Sequence, residues 1–153
     1  ADGQVLEMED SYVNSSRKMK GTVVDDHSAT FIGNWQGSAA NKPFVDSGYR
    51  HNGNTEQGQK SALFEAKLKP GRYEVRLSYP PNSNRAENVP VTVIHATGSK
   101  SIRINQREKP PIDGIFVSLG QFSFHDVAKV EVGTADTNGH VIVDSVQFLP
   151  AGR

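Results

Sequence analysis

Apolar and polar residues alternate along most of this chain, which is the pattern of β-strands with one face in a core and the other in water. In residues 72–79 every odd-numbered residue is Tyr, Val or Leu, and every even-numbered residue is Arg, Glu or Ser. Similar segments cover residues 91–95, 101–106, 115–124, 129–132 and 140–149. No long segment has the period of an amphipathic helix, so the pattern predicts a protein built of strands.

Glycine, proline and asparagine separate the predicted strands at short intervals. The pair Asn138-Gly139 lies between two alternating segments and predicts a tight β-hairpin. Leu119-Gly120 predicts a bend that divides residues 115–124 into two short strands. Fourteen glycines and eight prolines, spread among many short strands, predict an all-β, jelly-roll-like sandwich of two antiparallel sheets.

The inward-facing positions of these strands define a predicted hydrophobic core. Its members are Val24, Phe31, Leu63, Phe64, Leu68, Tyr73, Val75, Leu77, Val91, Val93, Ile102, Ile104, Leu119, Phe122, Val130, Ile142, Val146 and Phe148. Outside the strands, the segment 48–61 is polar and contains three glycines. This composition predicts a loop that is either mobile or shaped by a ligand.

Composition limits the function mainly by exclusion. At 153 residues the chain can bury the core of one domain. Its 17 basic and 17 acidic residues give a net charge of zero, so no cationic field favours nucleic acid or an anionic membrane surface. It has no cysteine, which excludes disulfides and thiol chemistry. No apolar run approaches the ~20 residues of a membrane helix. Because the first residues carry neither a charged leader nor an apolar stretch, we expect that, if the protein is exported, its secretion signal has been removed or the chain is a piece of a larger protein.

Known catalytic motifs are missing from the sequence. It contains no nucleophile elbow, HExxH, phosphate-binding loop or dinucleotide-binding glycine motif. Its five histidines are scattered and lack the spacing typical of a zinc site. Asp25 and Asp26 are adjacent carboxylates, but Asp25 is predicted to cap the turn that follows the first strand. The sequence therefore favours a protein without catalytic activity.

One carboxylate is predicted to point into the core. In the last strand the alternation places Asp144 on the same face as Ile142, Val146 and Phe148. An ionised carboxylate that is buried without a partner costs on the order of several kcal/mol. Asp144 therefore needs a cation, an arginine or backbone N–H donors. Arg85, in a loop rich in proline and asparagine, is a candidate partner.

Several short motifs, in a fixed order along the chain, indicate a family. They are Val24-Asp25-Asp26; Phe31-Ile32-Gly33-Asn34-Trp35; Gly71-Arg72-Tyr73-Glu74-Val75; Tyr79-Pro80 with Asn84-Arg85-Ala86; residues 91–95 with Gly98; Asn105-Gln106; Leu119-Gly120-Gln121-Phe122 with Phe124; and residues 139–148. With these motifs, residues 23–149 resemble the golvesin C-terminal or xanthan-lyase carbohydrate-binding-like domain. The chain departs from the family at residues 115–118, where Ile-Phe-Val-Ser replaces a segment that usually has a Trp. This departure removes an aromatic platform for a sugar at that position.

The resemblance implies an all-β sandwich module appended to a secreted bacterial enzyme such as a polysaccharide lyase, a peptidase or an FAD-dependent oxidoreductase. It implies a non-catalytic accessory role, a polysaccharide partner and an extracellular or periplasmic location. The family domain is expected at residues 23–150, with residues 1–22 as an arm or strand that packs on it. The alternative is a structural module that contacts host-enzyme domains or copies of itself without sugar affinity.

The first residues carry a second, shorter resemblance. Glu7-Met8-Glu9 is similar to the opening strand of carbohydrate-binding modules of families six and thirty-five, in which two Glu and an Asp of the last strand hold a structural calcium. This resemblance implies a calcium site of Glu7, Glu9 and Asp144, whose carboxylate oxygens are the ligands that calcium prefers. The alternative is that both Glu line a solvated edge while Asp144 pairs with Arg85 or with backbone N–H groups.

Sugar sites combine aromatic faces with polar donors and acceptors. The candidates for ligand binding are Trp35, Tyr49, Arg50, His51, Asn84 and Arg85. The guanidinium of Arg85 would suit a uronate or a pyruvylated sugar. The alternative is structural: Trp35 closes one end of the core, Tyr49 packs beneath the long loop, and Arg85 fixes its own loop to the sandwich.

Overall fold

The computed structural model describes residues 12–151, in which the alternating segments form short antiparallel strands. The strands are β1 (Thr22–Asp25), β2 (Thr30–Ile32), β3 (Gln36–Ser38), β4 (Tyr49–His51), β5 (Ser61–Lys67), β6 (Gly71–Ser78), β7 (Val89–His95), β8 (Gly98–Ile104), β9 (Phe116–Phe124), β10 (Val127–Gly133), β11 (Ile142–Val143) and β12 (Ser145–Pro150). Two short 3₁₀ helices cover Ser16–Lys18 and Asp26–Ser28. Among the described residues no helix has the length and apolar character needed to span a membrane.

Two main sheets build the predicted all-β sandwich around one hydrophobic core. One sheet has the order β1-β12-β6-β9 and the other the order β2-β5-β10-β7-β8. A third, small sheet has the order β11-β4-β3. Because Asp144 alone separates β11 from β12, it stands where the last strand passes from the small sheet to a main one.

Most of the predicted core residues are buried, and the exceptions have simple causes. Phe31 and Ile102 are half-buried because they lie on β2 and β8, the two edge strands of their sheet. Leu63 is also half-buried, whereas its neighbour Phe64 is fully buried. Successive side chains of a strand point to opposite faces, so Leu63 and Phe64 cannot both point inward, and the prediction for Leu63 was wrong.

The predicted bend at Leu119-Gly120 is a β-bulge within one continuous strand. Gly120 of β9 pairs with Val75, and the next pair joins Ser118 to Arg76. Leu119 therefore has no partner of its own, and Gly120 has the positive φ of 114° that glycine adopts without strain. The prediction of two separate strands was wrong, although the irregularity is at the predicted place.

The predicted hairpin at Asn138-Gly139 is also wrong. β10 pairs with β5 and β7, while β11 pairs with β4 in the small sheet. Asn138 Oδ1 accepts a hydrogen bond from the Glu87 N–H at 2.8 Å. A Cβ on Gly139 would lie 2.6 Å from the Arg85 carbonyl oxygen. The pair is therefore a tight crossing against another loop, and the glycine is needed for close approach rather than for a turn.

The polar segment 48–61 has a defined conformation of its own. It begins with β4, and the buried Lys60 donates from Nζ to the carbonyl of Asn52 at 2.7 Å and to Thr55 Oγ1 at 2.9 Å. Asn52 is fully buried, and its Oδ1 accepts from the Val141 N–H at 2.9 Å. These bonds hold β4 beside β11.

A buried amide completes the pairing of β11. The side chain of Gln106, which is fully buried, donates to the Ile142 carbonyl at 2.9 Å and accepts from the Ile142 N–H at 2.8 Å. It therefore replaces the backbone of a neighbouring strand. Removing it would leave two buried backbone groups without partners.

We expect Gln106→Leu to lower the free energy of unfolding by about 2–4 kcal/mol, because each unpaired buried polar group costs about 1–3 kcal/mol. Urea unfolding measures the change. Gln59→Leu, at an exposed position, is the matched control and should change stability by less than about 0.5 kcal/mol. Equal stability of the two variants would show that Gln106 does not support β11.

Candidate functional site

Strand β4 distributes the candidate residues Tyr49, Arg50 and His51 to both of its sides. Tyr49 and His51 share one side and Arg50 has the other, because side chains alternate along a strand. Tyr49 is buried, with 3% of its surface exposed. The guanidinium of Arg85 lies 5.7 Å from the centre of the Tyr49 ring. Two separate groups of residues result, one on each side of β4.

The first group is a half-exposed surface of two aromatic rings and a cation, Phe31, Trp35 and Arg50. The guanidinium carbon of Arg50 lies 4.5 Å from the centre of the Phe31 ring. The Phe31 and Trp35 rings are 5.6 Å apart and tilted by 50°. Both rings also pack against the edge of the core. We call these three residues the aromatic–arginine surface. Trp35 thus closes part of the core and also shows a partly exposed ring.

The second group surrounds the buried Arg85. Its Nη1 donates to Asn84 Oδ1 at 2.7 Å and its Nε donates to the Pro80 carbonyl at 3.2 Å. Burial lowers the pKa of Arg85, and only 3% of the residue is exposed. These contacts match the structural alternative, in which Arg85 fixes its own loop.

The hypothesis that Arg85 is the partner of Asp144 was wrong. No ion pair joins the two residues in the described part of the chain. Arg85 instead contacts Tyr49, Asn84 and Pro80. The loop that carries it is bridged to the segment before β11, since the backbone of Arg85 pairs with His140.

His51 and Asn84 complete the second group near the surface. The rings of His51 and His140 are 5.5 Å apart and meet edge to face. Burial, followed by the charges of His140, Arg85 and Lys60, lowers the pKa of His51. The His140 N–H donates to the Asn84 carbonyl at 2.9 Å. These side chains are polar and partly accessible, but the aromatic ring of this group, Tyr49, is buried.

Asp144 lies in the interior, as the alternation predicts, and its neighbours are two other carboxylates. It is fully buried, and its Oδ2 accepts from the Val45 N–H at 2.8 Å. Carboxylate oxygens of Asp25, Asp26 and Asp144 lie within 4.8 Å of one another. We call these three residues the carboxylate centre. Glu7 and Glu9, the other predicted calcium ligands, lie outside the described residues.

Strand pairing brings the carboxylate centre together. β1 pairs with β12, so that Asp25 is opposite Ser145, next to Asp144. Asp26 begins the 3₁₀ helix, and its N–H donates to the Asp144 carbonyl at 2.7 Å. Asp25 accepts from the His27 N–H at 3.4 Å, so the predicted turn cap is confirmed. The one feature of the sequence that could have indicated the carboxylate centre is the acidic pair Asp25-Asp26, which lies at the end of β1, the strand that pairs with β12.

The electrostatics of the carboxylate centre follow from burial. Burial raises the pKa of Asp25 to about 7. Burial and repulsion from Asp25 raise the pKa of Asp26 to about 8, although Arg50 acts in the opposite direction. Burial also raises the pKa of Asp144 well above its ordinary range. Without a cation, the centre therefore holds protons near neutral pH.

Arg50 connects the carboxylate centre to the aromatic–arginine surface. Its Nε lies 3.2 Å from Asp26 Oδ2, and 34% of its side chain is exposed. One side chain thus contacts an internal carboxylate and an outer aromatic ring. The charge state of Asp26 therefore acts on a partly exposed guanidinium that an anionic or hydroxyl-rich ligand could reach.

The donor set of the carboxylate centre fits a calcium ion in type and charge. Calcium prefers carboxylate and carbonyl oxygens and tolerates irregular arrangements. Asp144 Oδ1 and Asp25 Oδ1 are buried and have no hydrogen-bond partner in the described residues. Buried polar atoms without partners are rare in folded proteins. These two oxygens therefore need either protons or a cation.

Comparison with known proteins identifies the family. Residues 22–150 match the family of the golvesin C-terminal domain. The chain belongs to this family. The sequence-based assignment is confirmed, and the golvesin domain accounts for the sandwich described above.

The golvesin domain is similar to one part of bacterial xanthan lyases. It is 29% identical over 136 residues to xanthan lyase of Bacillus sp. (strain GL1), which covers 84% of this chain and 14% of that lyase. The structure of a Paenibacillus xanthan lyase matches with 31% identity and a TM-score of 0.80, over 85% of this chain and 13% of the lyase. The chain therefore spans a small part of the relatives that it matches.

A more distant likeness supports the fold alone. The structure of a GH26-CBM35 β-(1,4)-mannanase from Podospora anserina matches with a TM-score of 0.66 and 12% identity. It covers 88% of this chain and 29% of the mannanase. The golvesin domain thus shares its sandwich with parts of larger enzymes that act on polysaccharides.

We expect the free energy of unfolding in the presence of chelator to fall as pH rises from about 4 to about 8. In this window the folded domain keeps protons on Asp25 and Asp26 that the unfolded chain, with an ordinary Asp pKa of 3.8, has released. Unfolding therefore releases protons, and stability decreases by up to about 1.4 kcal/mol per pH unit for each proton.

Urea unfolding at several pH values tests this dependence. Asp26→Asn removes one titrating carboxyl, so its stability should depend less on pH than that of the parent. Asp136→Asn, at an exposed position, should keep the parent's slope. Stability that rises with pH over this window would contradict the assigned protonation.

Proposed function

We propose that this golvesin domain is a non-catalytic accessory module of a secreted polysaccharide-acting enzyme and that it binds polysaccharide through the aromatic–arginine surface. The observation that supports it is a pair of half-exposed rings, Phe31 and Trp35, of which Phe31 lies against the accessible guanidinium of Arg50, on a domain similar to part of xanthan lyases. Polysaccharide binding would keep the host enzyme close to its substrate.

The chemistry of this surface suits a sugar chain. The faces of Phe31 and Trp35 can pack against the C–H groups of a pyranose ring. Arg50 can donate to hydroxyl or carboxylate oxygens, and its planar fork favours a carboxylate. Trp35 Nε1 donates to the Ile32 carbonyl at 3.1 Å, which fixes the ring. The rings are thus held in place before a ligand arrives, which reduces the entropy lost on binding.

The structure supports fewer sugar-binding residues than the six candidates that the sequence indicates. Tyr49 and Arg85 are each 3% exposed, so we assign them to the scaffold that supports β4. Trp35 and Arg50 remain as primary contacts, and Phe31 joins them. His51 and Asn84 lie on the other side of β4, where they could serve only a separate contact.

We further infer that the carboxylate centre holds a structural calcium ion. The inference is supported by the two buried carboxylate oxygens without partners and by the oxygen-only donor set. Bound calcium would favour the ionised forms of Asp25, Asp26 and Asp144. Since Asp26 contacts Arg50, an ionised Asp26 would also hold the guanidinium in position beside Phe31.

We expect Trp35→Ala to weaken binding of a polysaccharide probe at least about tenfold, because the loss of a stacked ring removes about 1.5–3 kcal/mol. Affinity electrophoresis in gels that contain xanthan or β-1,4-mannan provides the measurement. Arg50→Gln should weaken binding to xanthan, an anionic polymer, more than to neutral mannan. Arg72→Gln, at an exposed position on β6, is the matched control for charge.

Two results would contradict this assignment. If neither polymer retards the parent domain, the proposal that it binds these polysaccharides is wrong. Sedimentation would then test the alternative, in which the domain associates with itself. If Trp35→Ala is retarded as strongly as the parent, the binding surface lies elsewhere. The near-ultraviolet circular dichroism of each variant shows whether it has kept its fold.

We expect saturating calcium to raise the melting temperature of the parent domain and chelator to lower it, because an ion that binds only the folded state stabilises it by mass action. Asp144→Asn should abolish the calcium effect, while Asp136→Asn should keep it. The effect should be larger at about pH 8 than at about pH 5.5, since protons compete with the ion. Equal melting temperatures with calcium and chelator at both pH values would show that protons alone occupy the centre.

A further inference from the structure

Residues 52–60, which connect β4 to β5, form a segment with a strained backbone; we call them the β4–β5 segment. Asn54 and Glu56 have positive φ values of 56° and 54°, a left-handed conformation that is sterically costly for residues other than glycine. Hydrogen bonds hold the segment in this conformation. One of them runs from the Gly58 N–H to Thr134 Oγ1 at 3.0 Å. The conformation therefore depends on bonds that compensate for the strain.

His51, the last residue of β4, accepts the first of these bonds. Its Nδ1 accepts from the Gly53 N–H at 3.0 Å, and Gly53 has a φ of 70°. This bond closes the turn by which the chain leaves β4. Since Nδ1 is the acceptor, the neutral ring must carry its hydrogen on Nε2. The closed turn thus selects one tautomer of neutral His51.

Protonation of His51 is incompatible with this turn. An imidazolium ring carries a hydrogen on both nitrogens and accepts no hydrogen bond. The added hydrogen on Nδ1 would face the Gly53 N–H, so that two donors would meet where the distance between the nitrogens is 3.0 Å. Either the ring or the Gly53 backbone would have to move. The first bond of the strained segment would then be lost.

The charged groups around His51 also oppose its protonation in the closed form. His140, before β11, has its ring 5.5 Å from that of His51, and the buried Arg85 and Lys60 act on His51 from the β6–β7 loop and from the β4–β5 segment. Burial and these three neighbours lower the pKa of His51. Glu56 lies 3.8 Å from Lys60 Nζ and is largely exposed, so it offsets the charge of Lys60 only in part. The residues that pair with His51 on β3 and β11 are uncharged.

We propose that His51 is a pH-sensitive switch: its neutral ring holds the β4–β5 segment closed, and its protonation on acidification releases the segment. In the open form Nδ1 no longer accepts from Gly53, so the ring takes up a proton more readily than in the closed form. Opening therefore binds a proton and is favoured as pH falls. Below the ordinary His pKa of 6.5, the ratio of open to closed segment should rise by up to about tenfold per pH unit until the closed form is protonated as well.

Amide hydrogen exchange of the full chain in the presence of chelator, at about pH 5 and about pH 7.5, tests the proposal. After correction for the intrinsic exchange rate at each pH, protection of amides in residues 53–59 should be at least about fivefold lower at the acidic pH. Amides of β5 and β10 should not lose protection. In chelator the carboxylate centre makes the whole fold more stable at low pH, so global unfolding cannot imitate this local opening.

Variants assign the effect to one ring. His51→Gln has no group that titrates in this window, so its segment should exchange equally at both pH values, whether the variant holds the turn closed or not. His125→Gln, at an exposed position, is the matched control and should respond as the parent does. His140→Gln removes a neighbouring charge and should raise the pKa of His51, measured by NMR titration of the ring.

Three results would overturn the proposal. The first is equal protection of residues 53–59 in the parent at both pH values. The second is a response of the parent's size in His51→Gln, because another group would then control the segment. The third is an NMR spectrum of the neutral ring that places the hydrogen of His51 on Nδ1, since that nitrogen could not accept from Gly53.

Discussion

The burial of three carboxylates against one another is the constraint on which the rest of this domain depends. Asp25 and Asp26 come from the first strand and the turn after it, and Asp144 comes from the last strand. Backbone bonds hold them together, since β1 pairs with β12 and the Asp26 N–H donates to the Asp144 carbonyl. The closure of the sandwich at this end therefore requires that the negative charge be neutralised by protons or by a cation.

One side chain, that of Arg50, connects the buried carboxylates to the surface of the domain. Arg50 contacts Asp26 on one side and the Phe31 ring on the other. Its position depends on β4, which the buried amide of Asn52 holds beside β11. Gln106 in turn fixes β11 through the Ile142 backbone. The aromatic–arginine surface is thus supported by polar contacts within the core. Such a scaffold explains how a short strand with three residues can present an ordered surface.

The alternation of residues predicted the sandwich, most of the core and the burial of Asp144, because each depends on the local period of a strand. The partner of Asp144 was not predictable in this way. Pairing of β1 with β12 is a long-range contact, and Asp25 was interpreted only by its local role as a turn cap. The hairpin predicted at Asn138-Gly139 was wrong for a related reason. Gly139 is needed because the Arg85 backbone lies close to it, and this long-range contact cannot be predicted from the local sequence pattern.

The ligand residues show the same division between local and long-range information. Tyr49, Arg50 and His51 are neighbours in sequence, but alternation along β4 sends Arg50 to one side and its neighbours to the other. Arg85 has the chemistry of an anion-binding residue, yet it is buried, and its Nε and Nη1 donate to Pro80 and Asn84. Residue type therefore suggested candidate chemistry, whereas the accessibility of each side chain was decided by which strand packed over it. Asp25 is the extreme case, because the same carboxylate caps a local turn and, through the pairing of β1 with β12, also belongs to a buried cluster of oxygens.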